Sequence, residues 1–159
     1  MTKVNTILVA EDYEDDCIIL AHAFEDAGLP FYLQFVTNGL QAMGYLEGKA
    51  PFNNRDQFPL PVLVMLDLRM PVMDGFEVLK RIRQAPALSH LPVVVFAASN
   101  LETDQARAKR LGADAFYIKT TERRELKAIL LDVTQRCLSA IHKTISQRQW
   151  SQGGLWRGP

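Results

Sequence analysis

The sequence predicts an α/β domain built as a doubly wound, five-stranded parallel sheet with helices on both faces. Two observations predict it. Short apolar runs alternate with helically spaced apolar positions five times along the chain, the pattern of successive βα units. The length of 159 residues, 48% of them hydrophobic, suits one well-filled core rather than two.

Residues 7–10 read as a buried strand. Ile18, Ala21 and Phe24 follow at helical spacing, and Gly28 with Pro30 stops that helix. Tyr32–Val36 reads as a second strand, more polar and so suited to a sheet edge. Asn38 can cap a helix carrying Leu40, Met43 and Leu46, which Gly48 ends. The continuous apolar run 62–66 reads as a third strand covered on both faces. Phe76, Leu79 and Ile82 supply the apolar stripe of a third helix over 75–83. Val93–Ala97 is the fourth strand, and Leu101, Ala108 and Leu111 mark a fourth helix ending at Gly112. Ala115–Ile118 is the fifth strand, and from about Glu122 a helical pattern continues to about Trp150. Residues 49–61 read as a polar loop. Residues 1–150 form the expected domain and 151–159 a Gly-containing tail expected to be mobile.

Charge is balanced, with 18 basic and 18 acidic residues. That offers no electrostatic case for nucleic acid or an anionic membrane surface. No apolar run approaches the ~18 residues of a spanning helix, and the N-terminus lacks a signal-peptide pattern. Cys17 and Cys137 fall in separate helical patterns and read as free thiols rather than a disulfide. The expected compartment is the cytoplasm.

Polar residues stand where three of these strands end. Glu11 and Asp12 follow the first strand, Asp67 the third and Lys119 the fifth. In an open parallel sheet, ligands bind beyond the carboxyl ends of the strands, where the strand order reverses. Adjacent first and third strands would bring these side chains together. Packed carboxylates repel, and a hard divalent cation relieves the repulsion; Mg²⁺ suits a site with few protein ligands because it keeps several waters. A carboxylate can also act as a nucleophile and form an aspartyl phosphate. Transfer of a phosphoryl group needs charge neutralisation and alignment more than covalent help. Glu14, Asp15 and Asp16 read instead as a solvated helix start favoured by the helix dipole, so Asp16→Ala is expected to matter little. Asp74-Gly75 reads as a turn that opens the third helix. His22, His90 and His142 share no ligand spacing and read as surface or packing residues.

The string Leu66-Asp67-Leu68-Arg69-Met70-Pro71, followed by Asp74-Gly75, resembles the phosphoacceptor loop of response regulator receiver domains. Glu11-Asp12 resembles their acidic pair and Lys119 their essential lysine, and the resemblance runs from about Thr6 to about residue 140. It implies a flavodoxin-like sheet of order 2-1-3-4-5. It implies that Asp67 accepts a phosphoryl group from a histidine kinase, with Lys119 as its charge partner. Mg²⁺ would be held by Asp12, Asp67 and the main-chain carbonyl of Arg69, with Glu11 acting through water. The implied role is a stand-alone switch in a two-component phosphorelay, not an enzyme with a separate substrate. The 49–61 insertion is similar to that of the single-domain response regulators of bacterial and cyanobacterial phytochromes, so a phytochrome is the implied kinase.

Two positions depart from the family pattern. Ala97 ends the fourth strand where receivers carry Ser or Thr, and so lacks a hydroxyl for a phosphoryl oxygen. Ser99, two residues on, is expected to lie too far out to replace it. Thr120 follows Lys119 where many receivers have proline, which leaves capping to Thr120 or Thr121. Phe116 stands where receivers carry an aromatic residue that changes rotamer on activation; core packing is its simpler role. These departures keep open the alternative of a pseudo-receiver scaffold with weak or no phosphorylation-driven switching. A haloacid-dehalogenase-like phosphatase is disfavoured by Arg69, which stands where such enzymes need a general acid. A flavin carrier is disfavoured by the acidic stretch after the first strand, which would repel a phosphate.

In the last helix, Leu126, Ile129, Leu130, Val133, Cys137 and Ile141 form a stripe suited to the core. Leu131, Leu138 and Ile145 form a second stripe at seven-residue spacing, which predicts a homodimer through the fifth-helix face.

Overall fold

The computed structural model describes residues 5–152, with side chains through Gln147. Strands β1 (Thr6–Ala10), β2 (Tyr32–Val36), β3 (Leu63–Leu66), β4 (Val93–Ala97) and β5 (Ala115–Ile118) alternate with helices α1 (Glu14–Asp26), α2 (Gly39–Glu47), α3 (Gly75–Gln84), α4 (Glu102–Arg110) and α5 (Arg123–Gln152). The sheet order is β2-β1-β3-β4-β5, and every pairing is parallel. The expected doubly wound sheet is therefore the observed one, with the more polar β2 at an edge.

Alternation along each strand divides the core. Leu8, Ala10, Val64, Leu66 and Val93 pack against Met43 and Leu46 of α2 and Val78, Leu79 and Ile82 of α3. Ile7, Val9, Leu63, Met65, Val94 and Phe96 face the other way, onto Leu20 and Phe24 of α1 and Leu126, Leu130, Val133 and Cys137 of α5. Both faces of the central strands are thus covered, which is why they carry uninterrupted apolar runs. Cys17 and Cys137 are free thiols.

Helix rotation differs from the expected stripes in three places. In α1 the buried positions are Leu20 and Phe24, whereas Ile18 is exposed. In α2 Leu40 is exposed, while Ala42 and Tyr45 join Met43 and Leu46 inside. In α4 Leu101 is exposed and the buried pair is Asp104 and Ala108. Each expected stripe used a terminal apolar residue that lies just outside the face the sheet covers.

The 49–61 loop has an apolar anchor. Phe52 and Phe58 pack with Tyr45 as a trio of rings with centroids 5.3–6.0 Å apart. Arg55 donates to the carbonyls of Tyr45 and Leu46, each at 2.8 Å, satisfying acceptors at the end of α2.

Hydrogen bonds carry the sheet ladder one residue past the strands. Glu11 N–H donates to Val36 (3.0 Å), Asp67 N–H to Ala10 (3.0 Å) and Lys119 N–H to Ala97 (2.8 Å). The backbones of these three residues are fixed by the sheet itself. The loop after β3 is held equally closely. Gly75 N–H donates to the Leu68 carbonyl at 3.0 Å, and a Cβ at Gly75 would lie 2.1 Å from the Asp67 carbonyl oxygen. Only glycine lets α3 begin so close to the loop after β3. Asp74 caps that helix by accepting from Glu77 N–H at 2.9 Å. Between them Val72 adopts φ 69°, a left-handed conformation that costs a β-branched residue of order 1–3 kcal/mol.

Helix α5 is 30 residues long, or about 45 Å, and overhangs the four-residue strand β5. It continues to Gln152; the expected tail from 151 falls mainly on residues 153–159, which lie outside the described residues. Among the described residues no helix is long and apolar enough to cross a membrane.

Candidate functional site

At the carboxyl ends of β1, β3 and β5 one ammonium group meets three carboxylates. Lys119 Nζ forms ion pairs with Glu11, with Asp16 at 2.8 Å and with Asp67 at 3.4 Å. Asp67 and Glu11 are almost fully buried, while Asp12 is exposed. Ligand oxygens of Glu11, Asp12 and Asp67 all lie within 4.8 Å of one another. That is an all-oxygen donor set with an open side, the kind a hard divalent cation takes while keeping part of its water shell. Leu68 N–H donates to Asp67 Oδ1 at 2.7 Å, and Tyr13 N–H to a Glu11 carboxylate oxygen at 3.0 Å.

Burial raises the pKa of both buried acids above the usual carboxylate range, against the opposing pull of Lys119. Burial also works against the Lys119 charge, but its bonds to Asp16 and Glu11 outweigh that cost and hold its pKa above an ordinary lysine's. The cluster is therefore short of positive charge: one cation faces two buried acids and a third partly buried one.

Sequence reasoning brought Glu11, Asp12, Asp67 and Lys119 together, and the structure does the same. It corrects the reading of Asp16, which is not a solvated helix-start acid but a direct partner of Lys119. Its place could have been read from spacing, because Asp16, Leu20 and Phe24 lie four residues apart on one face of α1.

A profile described as the response regulator receiver domain matches residues 7–131. The chain belongs to the response regulator receiver family. It is similar to response regulator Rcp1 of Synechocystis sp., with 32% identity over 120 residues, 76% of this chain and 80% of Rcp1. The crystal structure of the Mn²⁺-bound form of Rcp1 matches it with a TM-score of 0.71 at 29% identity, over 79% of this chain and 91% of that one. The phosphorylated cyanobacterial phytochrome response regulator RcpA matches with a TM-score of 0.76 and 29% identity, over 86% of this chain and 96% of that one. RPA3017, a response regulator in red light signaling of R. palustris, matches with a TM-score of 0.77 and 32% identity, over 82% and 91%.

The departures from the receiver pattern have definite surroundings here. Ala97 is buried in a small cluster with Leu68, Phe76, Val95 and Ala108, and Phe116 packs partly buried against the same cluster. Ser99 does not face the acid group; its hydroxyl donates to Asp104 at 2.6 Å. Arg69 turns its guanidinium to the same carboxylate at 3.0 Å. The Ser99 bond and the Arg69 charge hold the Asp104 carboxyl below its ordinary pKa. Sequence reading missed Asp104, and its four-residue spacing from the buried Ala108 is the signal that marks it. After Lys119, the Thr120 hydroxyl accepts from Glu122 N–H at 3.0 Å and donates to Glu125 at 2.8 Å, which shapes the turn into α5; the side chain that accepts from the first turn of the helix is that of Glu122, from Arg124 N–H at 3.2 Å, not that of Thr120.

The burial of Asp67 has a measurable consequence. Asp67 has a folded-state pKa above its unfolded value, so its own contribution to the stability of the metal-free protein falls as pH rises above about 4. Asp67→Asn removes that charge and keeps the shape. The expected result at pH 7.5 without metal is a thermal midpoint higher by about 2–4 °C, with the gain shrinking towards pH 4. Equal midpoints at pH 7.5, or a gain that grows in acid, would contradict it.

Proposed function

We propose that Asp67 is the phosphoacceptor of a two-component phosphorelay, and that its charge state sets which partners the receiver domain binds. The observation that carries this reading is the buried Asp67 carboxylate at the end of β3, with Lys119 Nζ 3.4 Å from one oxygen. A phosphohistidine of a sensor kinase is the donor. An Asp67 oxygen attacks phosphorus and the P–N bond breaks, its electron pair returning to the imidazole nitrogen; the other ring nitrogen of the phosphohistidine carries a proton, so the ring leaves as neutral histidine. Lys119 balances charge on the phosphoryl oxygens. Asp12, Asp67 and the Arg69 carbonyl would hold Mg²⁺, with Glu11 reaching it through water. When bound, Mg²⁺ supplies a positive centre for the phosphoryl oxygens. The Mn²⁺-bound form of Rcp1 supports a divalent cation here. Arg69 follows Asp67 by two residues and pairs with Asp104; with no acid there to serve a second substrate, the chain acts as an acceptor and switch rather than an enzyme on other molecules.

The kinase is proposed to be a phytochrome, because RcpA is a phytochrome response regulator and RPA3017 acts in red light signaling. The cytoplasm is the proposed compartment, in keeping with two free thiols. A second reading, a scaffold that switches weakly, is favoured by one observation. Ala97 has no hydroxyl, and the nearest candidate, Ser99, is committed to Asp104. A ligand shifts an equilibrium only by its differential affinity for the two states. Loading of Asp67 then proceeds while the response of β4 and Phe116 is small.

A homodimer through α5 is also proposed. Leu131, Leu138 and Ile145 are 51%, 55% and 50% exposed at seven-residue spacing, a seam that a second helix can cover.

Phosphotransfer from a phosphorylated phytochrome kinase is expected to label Asp67, to stop when Mg²⁺ is chelated, and to fail in Asp67→Asn. Stable label on another residue, or full labelling of the Asn variant, would sink the assignment. For the dimer, sedimentation at high micromolar concentration is expected to give twice the chain mass, reduced to one chain by Leu131→Glu with Leu138→Glu. A monomeric natural chain, or a variant that stays dimeric, rejects this face.

A further inference from the structure

We propose that Asp16 is a positioning residue for phosphoryl transfer: it holds the Lys119 ammonium beside Asp67 independently of the cation site. The proposal rests on the reading of Asp67 as phosphoacceptor.

An ammonium has three N–H donors, and here three acids surround it: Glu11, Asp16 and Asp67. Two of the three also belong to the convergent oxygen set suited to a cation; Asp16 does not. A bound cation draws on Glu11 and Asp67, so Asp16 is the one lysine contact that cation binding leaves alone. The residue is well placed to be rigid. It sits in the first turn of α1, on the same face as the buried Leu20 and Phe24, and its side chain is 29% exposed.

Lys119 needs such a hold. Its long stem borders an open cleft of about 370 Å³ between α1 and α5, also lined by Asp16, Ile19, Phe96 and Leu126. That cleft gives the ammonium room to swing away from Asp67. Freezing a lysine side chain costs conformational entropy at the moment it is needed, unless another contact has already placed it. During transfer an Asp67 oxygen forms its bond to phosphorus and the donor's P–N bond breaks, the electron pair leaving with nitrogen. Charge is then spread over three phosphoryl oxygens. The Lys119 donor released from Asp67 turns to one of them, while the bond to Asp16 keeps the nitrogen in place.

The test uses phosphoramidate as donor, whose protonated nitrogen departs as ammonia, so no kinase surface is involved. In saturating Mg²⁺, Asp16→Asn is expected to label Asp67 about tenfold more slowly, with Mg²⁺ affinity by calorimetry unchanged within about twofold. Asp16→Glu, which restores a carboxylate, is expected to recover part of the rate. Glu14→Gln, which removes the same charge from the same helix turn without touching Lys119, is expected to leave it unchanged. With beryllofluoride and Mg²⁺ bound, the Lys119 Nζ resonance is expected to be sharp in the natural chain and broadened in Asp16→Asn. An Asn variant labelled as fast as or faster than the natural chain overturns the role of Asp16 while leaving Asp67 as the acceptor. So does a loss of rate matched by a loss of Mg²⁺ affinity. A natural chain that phosphoramidate does not label at all overturns both readings.

Discussion

The pairing of one lysine with three carboxylates governs the rest of this structure. Glu11 and Asp67 are buried acids that water does not solvate, and Lys119 is the cation beside them. Loss of Lys119 would leave those two buried carboxylates without a cation, which costs far more than the pairing contributes when whole. The lysine therefore fixes the sign and the deficit of the site. It compensates part of the negative charge and leaves the remainder in an oxygen set that could hold a cation. The raised pKa of both acids reflects their burial, which Lys119 offsets only in part.

Everything else serves to put these groups within reach of one another. The parallel sheet delivers three strand ends to one edge, and ladder hydrogen bonds extend one residue further to lock Glu11, Asp67 and Lys119. Gly75 has no Cβ to meet the Asp67 carbonyl, so α3 can start close against the loop after β3. Asp74 pins the start of that helix, and Val72 absorbs the unfavourable backbone turn between them. On the far side, Asp104 gathers Ser99 and Arg69, tying the loops after β4 and β3 to the first turn of α4. The loop after β3 is thus linked to α4 by the Arg69–Asp104 ion pair, and the loop after β4 by the Ser99 hydroxyl on the same carboxylate.

Much of this was legible in the sequence, for a physical reason. Central strands covered on both faces must be apolar throughout, so their ends are sharply marked, and Glu11 and Asp67 are simply the residues that follow; β5 is an edge strand, but its apolar run ends as plainly at Lys119. What was not legible depended on helix rotation. Reading Ile18 into the core turned Asp16 towards solvent, and reading Leu101 into the core did the same to Asp104. Once Leu20 with Phe24, and Ala108, are taken as the covered positions, each acid falls one turn before them on the same face. The 49–61 loop hid its anchor differently: Phe52 and Phe58 are separated by polar residues, and only the fold brings both onto Tyr45.

The central claim is that Asp67 is read out by charge, through Lys119 and a cation, with little help from Ala97. The most direct measurement is a set of amide NMR spectra of the natural chain and of Ala97→Thr, each with and without Mg²⁺ and beryllofluoride. In the natural chain, large shifts are expected at Asp67, at Lys119 and in the loops around them, with a weak response along β4 and at Phe116. Ala97→Thr is expected to spread the response through β4 and β5. A natural chain that already responds strongly across both strands, with nothing added by threonine, would contradict the claim, as would spectra that beryllofluoride leaves unchanged.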